Sequence, residues 1–179
     1  MPTSKNTNNI KKYIYEIPDW PDKGINFKDI TPLLQNAKAF KQAINNLAKP
    51  YLNKKVDKVI GIDARGFIFA AALAYKLKIG LAIVRKMGKL PRKTLKQSYN
   101  LEYASNTLEI HQDSIKKLQK IIIVDDVLAT GGTINATAKL IKCIGGQIVG
   151  ISFLIEIKKL NGRKRIKHYP LHSLISYAQ

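Results

Sequence analysis

The stretch Ile121-Ile122-Ile123-Val124-Asp125-Asp126-Val127-Leu128-Ala129-Thr130-Gly131-Gly132-Thr133 carries the reading of the whole chain. After Lys120, four β-branched residues follow without a polar interruption, the pattern of a strand buried on both faces, as in a parallel sheet. The strand is read over Lys120–Val124, a turn over Asp125–Thr130, and a helix over Thr133–Ile144 that stops at Gly145-Gly146. The two halves of the motif have opposite chemistry. N–H groups at a helix start, threonine hydroxyls and glycines without Cβ make a socket for an anion. Two carboxylates repel an anion, but they accept hydrogen bonds from sugar hydroxyls or hold a magnesium ion. Side by side, the halves describe one ligand with a diol next to a phosphate, a ribose 5-phosphate. Thr-Gly-Gly-Thr alone is commonly an ordinary turn, and two aspartates after a strand are commonly solvated; their joint occurrence in this order is the signal. The Gly-Lys-Ser/Thr ending of a Walker loop and the Gly-x-Gly-x-x-Gly fingerprint are both absent.

Outward from this motif the chain alternates strand and helix patterns. Val56–Ile62 reads as a strand, 63–66 as a turn, Phe67–Leu77 as a buried helix and Leu81–Val84 as the next strand; Ile148–Ile157 is a further apolar strand. Upstream, Phe40, Ile44 and Leu47 give 37–51 helical spacing, 8–17 reads as a short helix stopped by Pro18, and 18–32 reads as a loop around Phe27. Met87–Ile110 shows no core periodicity and is read as a long flap, a length of loop that is usually functional. The fold expectation is α/β: a central, mainly parallel sheet flanked by helices on both faces, with ligands at the carboxyl ends of the strands.

Composition sets the outer bounds. At 179 residues, 45% hydrophobic, the chain has the size of one domain at about 100–200 residues per domain. The domain expectation is therefore 1–179, with 1–9 a polar, flexible tail and 87–110 the flap. The longest apolar run, Phe67–Tyr75, is nine residues, short of the roughly 20 that cross a bilayer, so no membrane is expected. The lone Cys143 has no internal disulfide partner, which favours a reducing cytoplasm. Net charge is +19, yet only Arg65, Arg85, Arg92, Arg163 and Arg165 among the 31 basic residues are arginine. Nucleic-acid readout favours arginine forks, and a joint Lys/Ile/Asn bias looks like background composition. No specific nucleic acid is expected, although anionic small molecules are favoured. His111, His168 and His172 lack metal-ligand spacing and are read as structural.

The motif Asp125–Thr133 resembles the phosphoribosyl-pyrophosphate signature of type I phosphoribosyltransferases. Pro18-Asp19-Trp20-Pro21, Gly24–Pro32, Gly61–Phe67, Val84–Pro91 and Leu101-Glu102-Tyr103 extend the resemblance, specifically to the adenine phosphoribosyltransferases, from about Ile10 to the C-terminus. The resemblance implies the type I phosphoribosyltransferase fold, with a flexible flap over the active site. It also implies a purine-salvage transferase in a cytoplasmic homodimer that makes AMP and diphosphate from adenine and phosphoribosyl pyrophosphate. Mg²⁺ is then held through substrate and water, with no direct protein ligand. By the same resemblance Asp125 and Asp126 hold the ribose hydroxyls, and Ala129, Thr130, Gly131, Gly132 and Thr133 bind the 5′-phosphate. Ala64, Arg65, Arg85, Lys89 and Tyr103 bind diphosphate, either Arg85 or Lys89 across a dimer interface, and a non-proline cis peptide joins Asp63 and Ala64. Phe27 stacks on adenine, with Lys28 and Val127 beside it, and Glu102 is the general acid–base that takes the N7 proton.

Taken alone, Arg65 would read as a surface ion pair, Arg85 and Lys89 as a solvated face, Phe27 as core and Glu102 as a solvated loop residue. Ala129 stands where 6-oxopurine transferases carry an aspartate, which points to adenine. Lys28, Asp63 and Ala104 stand where the family commonly has Arg, Glu and Gly. Two alternatives share the socket: a regulator that only senses phosphoribosyl pyrophosphate, and a transferase for another base.

Overall fold

The computed structural model describes residues 9–100 and 105–178, which fall into two compact units divided between Asn46 and Leu47. In the first unit a helical turn at 9–11 leads to β1 (Tyr15–Ile17), which pairs antiparallel with β2 (Phe27–Asp29), Ile17 facing Phe27. The short helix expected over 8–17 is therefore only its first turn, and Phe27 lies on a strand rather than in a loop. The Trp20–Pro21 peptide is cis, and the Trp20 ring stands edge-on to Phe27 at 4.4 Å. α1 (Thr31–Gln35) starts with Pro32 in its first turn, where a missing N–H costs nothing. α2 (Ala37–Ala48) follows, and the division between the units falls inside it.

The second unit holds a seven-stranded sheet of β3 (Lys58–Ile62), β4 (Gly80–Lys86), β5 (Thr94–Asn100), β6 (Ser105–His111), β7 (Lys120–Leu128), β8 (Gln147–Ile157) and β9 (Leu171–Tyr177). Their spatial order is β5-β6-β4-β3-β7-β8-β9. The five strands from β4 to β9 in that order are parallel, and β5–β6 is an antiparallel hairpin on the β4 edge. α3 (Gly66–Leu77) and α4 (Gly132–Ile144) complete the unit. A Cβ built on Gly61 would strike Ala70 and Phe67 of α3, whereas Ile60 and Ile62 share a buried cluster with Ile134, Leu140 and Ile141 of α4. Successive strand residues face opposite ways, so the two helices cover opposite faces of the sheet, as the apolar strands required.

Two further readings need correction. Met87–Ile110 is mostly a β-hairpin rather than a loop: Leu108 and Ile110 are buried, and Leu95 and Tyr99 pack against the core. Its alternation was hidden because the residue between Leu108 and Ile110 is Glu109, a carboxylate that is itself buried, at 2% exposure. Second, β7 continues through both aspartates to Leu128, still paired with β8. The carboxylates project from the strand's final residues, not from the turn beyond it. β9 was not foreseen.

Candidate active site

Three chain reversals converge at one edge of the sheet because their strands are parallel and in register. Gly61 of β3 faces Val124 of β7, and Ile62 faces Val84 of β4. The residues after each strand therefore emerge together: 63–66 after β3, 85–90 at the end of β4, and 125–131 at the end of β7.

The β3 turn crosses a cis peptide between Asp63 and Ala64, as the resemblance implied. Gly66 then opens α3 hard against β7: a Cβ there would lie 2.6 Å from Asp125 Oδ1. Arg65 Nε pairs with Asp126 Oδ2 at 2.6 Å, so the arginine expected to bind diphosphate and a carboxylate expected to hold the ribose are in contact. Asp125 Oδ1 accepts the Asp126 backbone N–H at 2.9 Å. Burial of Asp125, together with the Asp126 charge, pushes its carboxyl well above the usual carboxylate range; Arg65 opposes this only in part.

At the β4 end, Arg85 is a connector. Its Nε donates to Asp63 Oδ2 at 3.0 Å and its Nη1 to the Lys89 carbonyl at 3.1 Å. The turn that carries Lys89 is in turn held by Glu109, which accepts the Lys89 and Leu90 backbone N–H groups at 2.9 and 3.0 Å and the Thr94 hydroxyl at 3.3 Å. Burial alone would raise the Glu109 pKa, but these donors together hold it below the ordinary value. Ala64 and Lys89 are exposed.

The β7 turn enters α4 through Gly131 at φ +81°, a left-handed conformation that suits glycine. No side chain caps α4, and its first-turn N–H groups have no intrahelical acceptors. Asp125, 127–134 and Phe153 line a small cavity of about 60 Å³ there, with Ala129 and Thr133 half-buried. Tertiary contacts that the motif does not announce fix this loop from both sides. On one side the Tyr99 hydroxyl shares a 3.0 Å hydrogen bond with Thr133 Oγ1, and its ring lies over Gly132, where a Cβ would come within 3.1 Å. On the other, Gly162 in the 3₁₀ turn Gly162–Ile166 is so close that a Cβ on it would meet the Ala129 carbonyl at 2.2 Å and the Gly131 nitrogen at 2.9 Å. Arg163 anchors that 3₁₀ turn to β8 through a two-pronged pair with Glu156, at 2.9 and 2.5 Å.

In the first unit, Phe27 sits on β2 beside Trp20, and the buried Lys28 places its ammonium 2.5 Å from Glu16 Oε2. That bond, helped by Asn26, holds Glu16 below its usual pKa. Val127 is half-buried on β7. Glu102, Tyr103 and Ala104 lie outside the described residues. A larger open groove of about 670 Å³, lined by Lys158, Arg163, Lys164 and Lys167, has a single carboxylate, Glu156, which Arg163 already matches. It lacks the carboxylate pair that a diol needs. Among the described residues no cluster of three or more His, Cys, Asp or Glu could hold a metal ion, and no helix is long and apolar enough to cross a membrane.

Comparison with known proteins agrees with this geometry. The family described as phosphoribosyl transferase domain matches residues 32–176. The adenine phosphoribosyltransferase of Brachyspira hyodysenteriae is 52% identical over 168 residues, 94% of this chain and 99% of the relative. That of a Thermotoga species (strain RQ2) is 51% identical over the same shares of the two chains. Among solved structures, the adenine phosphoribosyltransferase of Rhodothermus marinus superimposes with a TM-score of 0.94 at 44% identity, covering 98% of this chain and 100% of that one. The Saccharomyces cerevisiae adenine phosphoribosyltransferase, complexed with an imino-altritol bisphosphate and adenine, gives 0.90 at 32% identity, covering 96% and 99%.

Proposed function

The chain belongs to the adenine phosphoribosyltransferases of the phosphoribosyl transferase family, and on that premise we propose that the sheet edge described above is its catalytic centre. The reaction joins adenine N9 to ribose C1′ as the bond from C1′ to the diphosphate oxygen breaks, giving AMP and diphosphate in purine salvage. The observation that carries the assignment is the meeting, on one edge, of a carboxylate pair, a pyrophosphate-loop arginine paired to it at 2.6 Å, and an uncapped helix start.

Each part has a task. The helix start, with Ala129, Thr130, Gly131, Gly132 and Thr133, takes the 5′-phosphate by backbone N–H and hydroxyl donors. Asp125 and Asp126 accept the ribose hydroxyls, and their negative charge stabilises the positive charge that grows on the sugar as diphosphate departs. Arg65 exchanges part of its pairing with Asp126 for diphosphate oxygens, and Ala64, Lys89 and Tyr103 are assigned to the same ligand by the family resemblance. Arg85 acts mainly by holding Asp63 and the Lys89 turn in place. For adenine the family resemblance names Phe27, by stacking on the ring, and Lys28, by backbone groups at its edge; it also names Val127 for the base. Glu102 takes the N7 proton as N9 attacks. Hard oxygen donors at Asp125 and Asp126 suit Mg²⁺ reached through water; the ion, when bound, neutralises charge on the departing diphosphate.

The chain works as one phosphoribosyltransferase domain in a cytoplasmic homodimer. The outward side of α3 supports the dimer: Ile68, Ala71 and Tyr75 recur at helical spacing, exposed, with Tyr75 88% accessible. Such a row is apolar where water would favour charge. Incubation of the purified protein with radiolabelled phosphoribosyl pyrophosphate and, separately, adenine, hypoxanthine, guanine, xanthine and orotate tests the substrate. AMP formation with adenine alone is expected; turnover of a 6-oxopurine at a comparable rate overturns the assignment.

A further inference from the structure

We propose that Tyr99 is a positioning residue for the phosphate loop, acting through the hydroxyl of Thr133; this rests on the reading of 129–133 as the 5′-phosphate socket. Tyr99 comes from the hairpin strand β5, some thirty residues away in sequence, and no strand pairing requires its side chain to reach α4. Two observations place it there independently. Its hydroxyl is 3.0 Å from Thr133 Oγ1, and its ring packs over Gly132 so closely that any Cβ at 132 would lie 3.1 Å from Tyr99 Cδ2. Glycine at 132 therefore accommodates the ring as well as leaving the loop's backbone open.

The direction of the hydrogen bond follows from the ligand. A phosphate dianion offers only acceptors, so Thr133 must donate its single proton to it. Thr133 Oγ1 then has only lone pairs left to offer Tyr99, and the tyrosine is the donor. The resulting chain runs from Tyr99 O–H to Thr133 O–H to phosphate, each bond polarising the next. Without Tyr99 the threonine hydroxyl is a free rotor near a helix start, where such groups turn back to bond local backbone carbonyls. Tyr99 thus keeps the Thr133 proton available for the anion. It touches no reacting atom, so its effect belongs to binding of the phosphate and not to the chemical step.

The test is Tyr99→Phe, which keeps the ring over Gly132 and removes only the hydroxyl. Ribose 5-phosphate is the probe for calorimetry, because it engages the socket whether or not adenine is turned over. Its Kd, and the KM for phosphoribosyl pyrophosphate, should each rise about 5-fold, the value of one ordinary hydrogen bond, while kcat with adenine stays within about 2-fold. In a Thr133→Ala background, the same Tyr99→Phe change should add nothing to the Kd. An unchanged Kd in Tyr99→Phe overturns the proposal. So does a Tyr99→Phe effect that persists in full beside Thr133→Ala, since the tyrosine would then act by another route. A fall in kcat with KM unmoved would place Tyr99 in the chemical step and equally refute it. Wild-type protein that binds ribose 5-phosphate but turns over no adenine would sink the functional assignment alone; failure to bind ribose 5-phosphate would sink both.

Discussion

Asp125 is asked to do two things that conflict. Half-buried beside Asp126, it has a carboxyl pKa raised above the ordinary value, so the folded state resists the charge that the proposed catalysis needs. A raised folded pKa contributes stability below the unfolded value, and that contribution is lost as pH rises through the folded value. At neutral pH, above the unfolded value, placing this carboxyl in the folded site is therefore a burden on folding. Asp125→Asn should give a higher Tm than wild type at pH 7, with the advantage shrinking toward pH 4. Its kcat should fall by about 10²–10³, the scale for losing a charge aimed at a developing transition-state charge. Thermal scans across that pH range, with steady-state assays, measure both. Asp126→Asn should lose activity in the same way; near-normal turnover in both variants would remove the ribose assignment. Glu102→Gln preserves size while abolishing proton acceptance, so kcat with adenine should drop about 10²–10⁴. Affinity for phosphoribosyl pyrophosphate should stay near normal, since that ligand is held elsewhere. Ala129 sharpens this test, because no aspartate at that position can substitute as base. Pre-steady-state turnover with calorimetry separates the two quantities.

Among the elements, legibility followed how much a residue type says without its neighbours. β7 was legible because Ile121–Val124 has few ways to be satisfied outside a covered sheet, and α4 because Gly145 marks its end. The hairpin β5–β6 was not. Glu109 is buried inside it only because Lys89, Leu90 and Thr94 supply donors, and nothing local in the sequence states that. β9 hid similarly, since His172, Ser173 and Ser176 interrupt its apolar residues. The Asp–Asp–Thr-Gly-Gly-Thr site was legible as chemistry, but Tyr99, Glu109 and Gly162, which hold it in shape, are visible only once the chain is folded. Gly162→Ala follows from the 2.2 Å clash with the Ala129 carbonyl. Backbone must shift, so the variant should bind ribose 5-phosphate at least about 10-fold more weakly by calorimetry, one energetic step of about 1.4 kcal/mol. The unchanged Arg163–Glu156 pair should keep the 3₁₀ turn attached to β8. An affinity equal to wild type would mean that the loop has slack which the packing denies.

For the whole molecule, the dominant quantity is charge. At +19 with few arginines, the protein should bind duplex DNA or RNA only through counterion release, and binding should weaken steeply as salt rises from about 50 to 200 mM. Filter binding on unrelated sequences should give similar affinities, whereas nanomolar, sequence-selective binding at physiological salt would favour a regulatory role. Sedimentation equilibrium should return a dimer, and Tyr75→Glu on the exposed side of α3 should shift it toward monomer. The fold as a whole was anticipated because alternating apolar strands and helices permit few arrangements. The division into units at 46 was not, as no proline- or glycine-rich linker marks it.

The back-to-back glycines at 131 and 162 bear on how such signatures are used to annotate genomes. Ala129–Thr133 is a contiguous word, yet its shape depends on a residue about thirty positions downstream and on a tyrosine about thirty positions upstream. A gene fragment truncated before 158 would keep every letter of the word and lose one jaw of the clamp. A shuffled or fused chain that replaced β5 would lose the other. Pattern searches over partial reading frames will thus overcount working sockets. A more discriminating query asks for the word together with a glycine and an aromatic hydroxyl at these long separations.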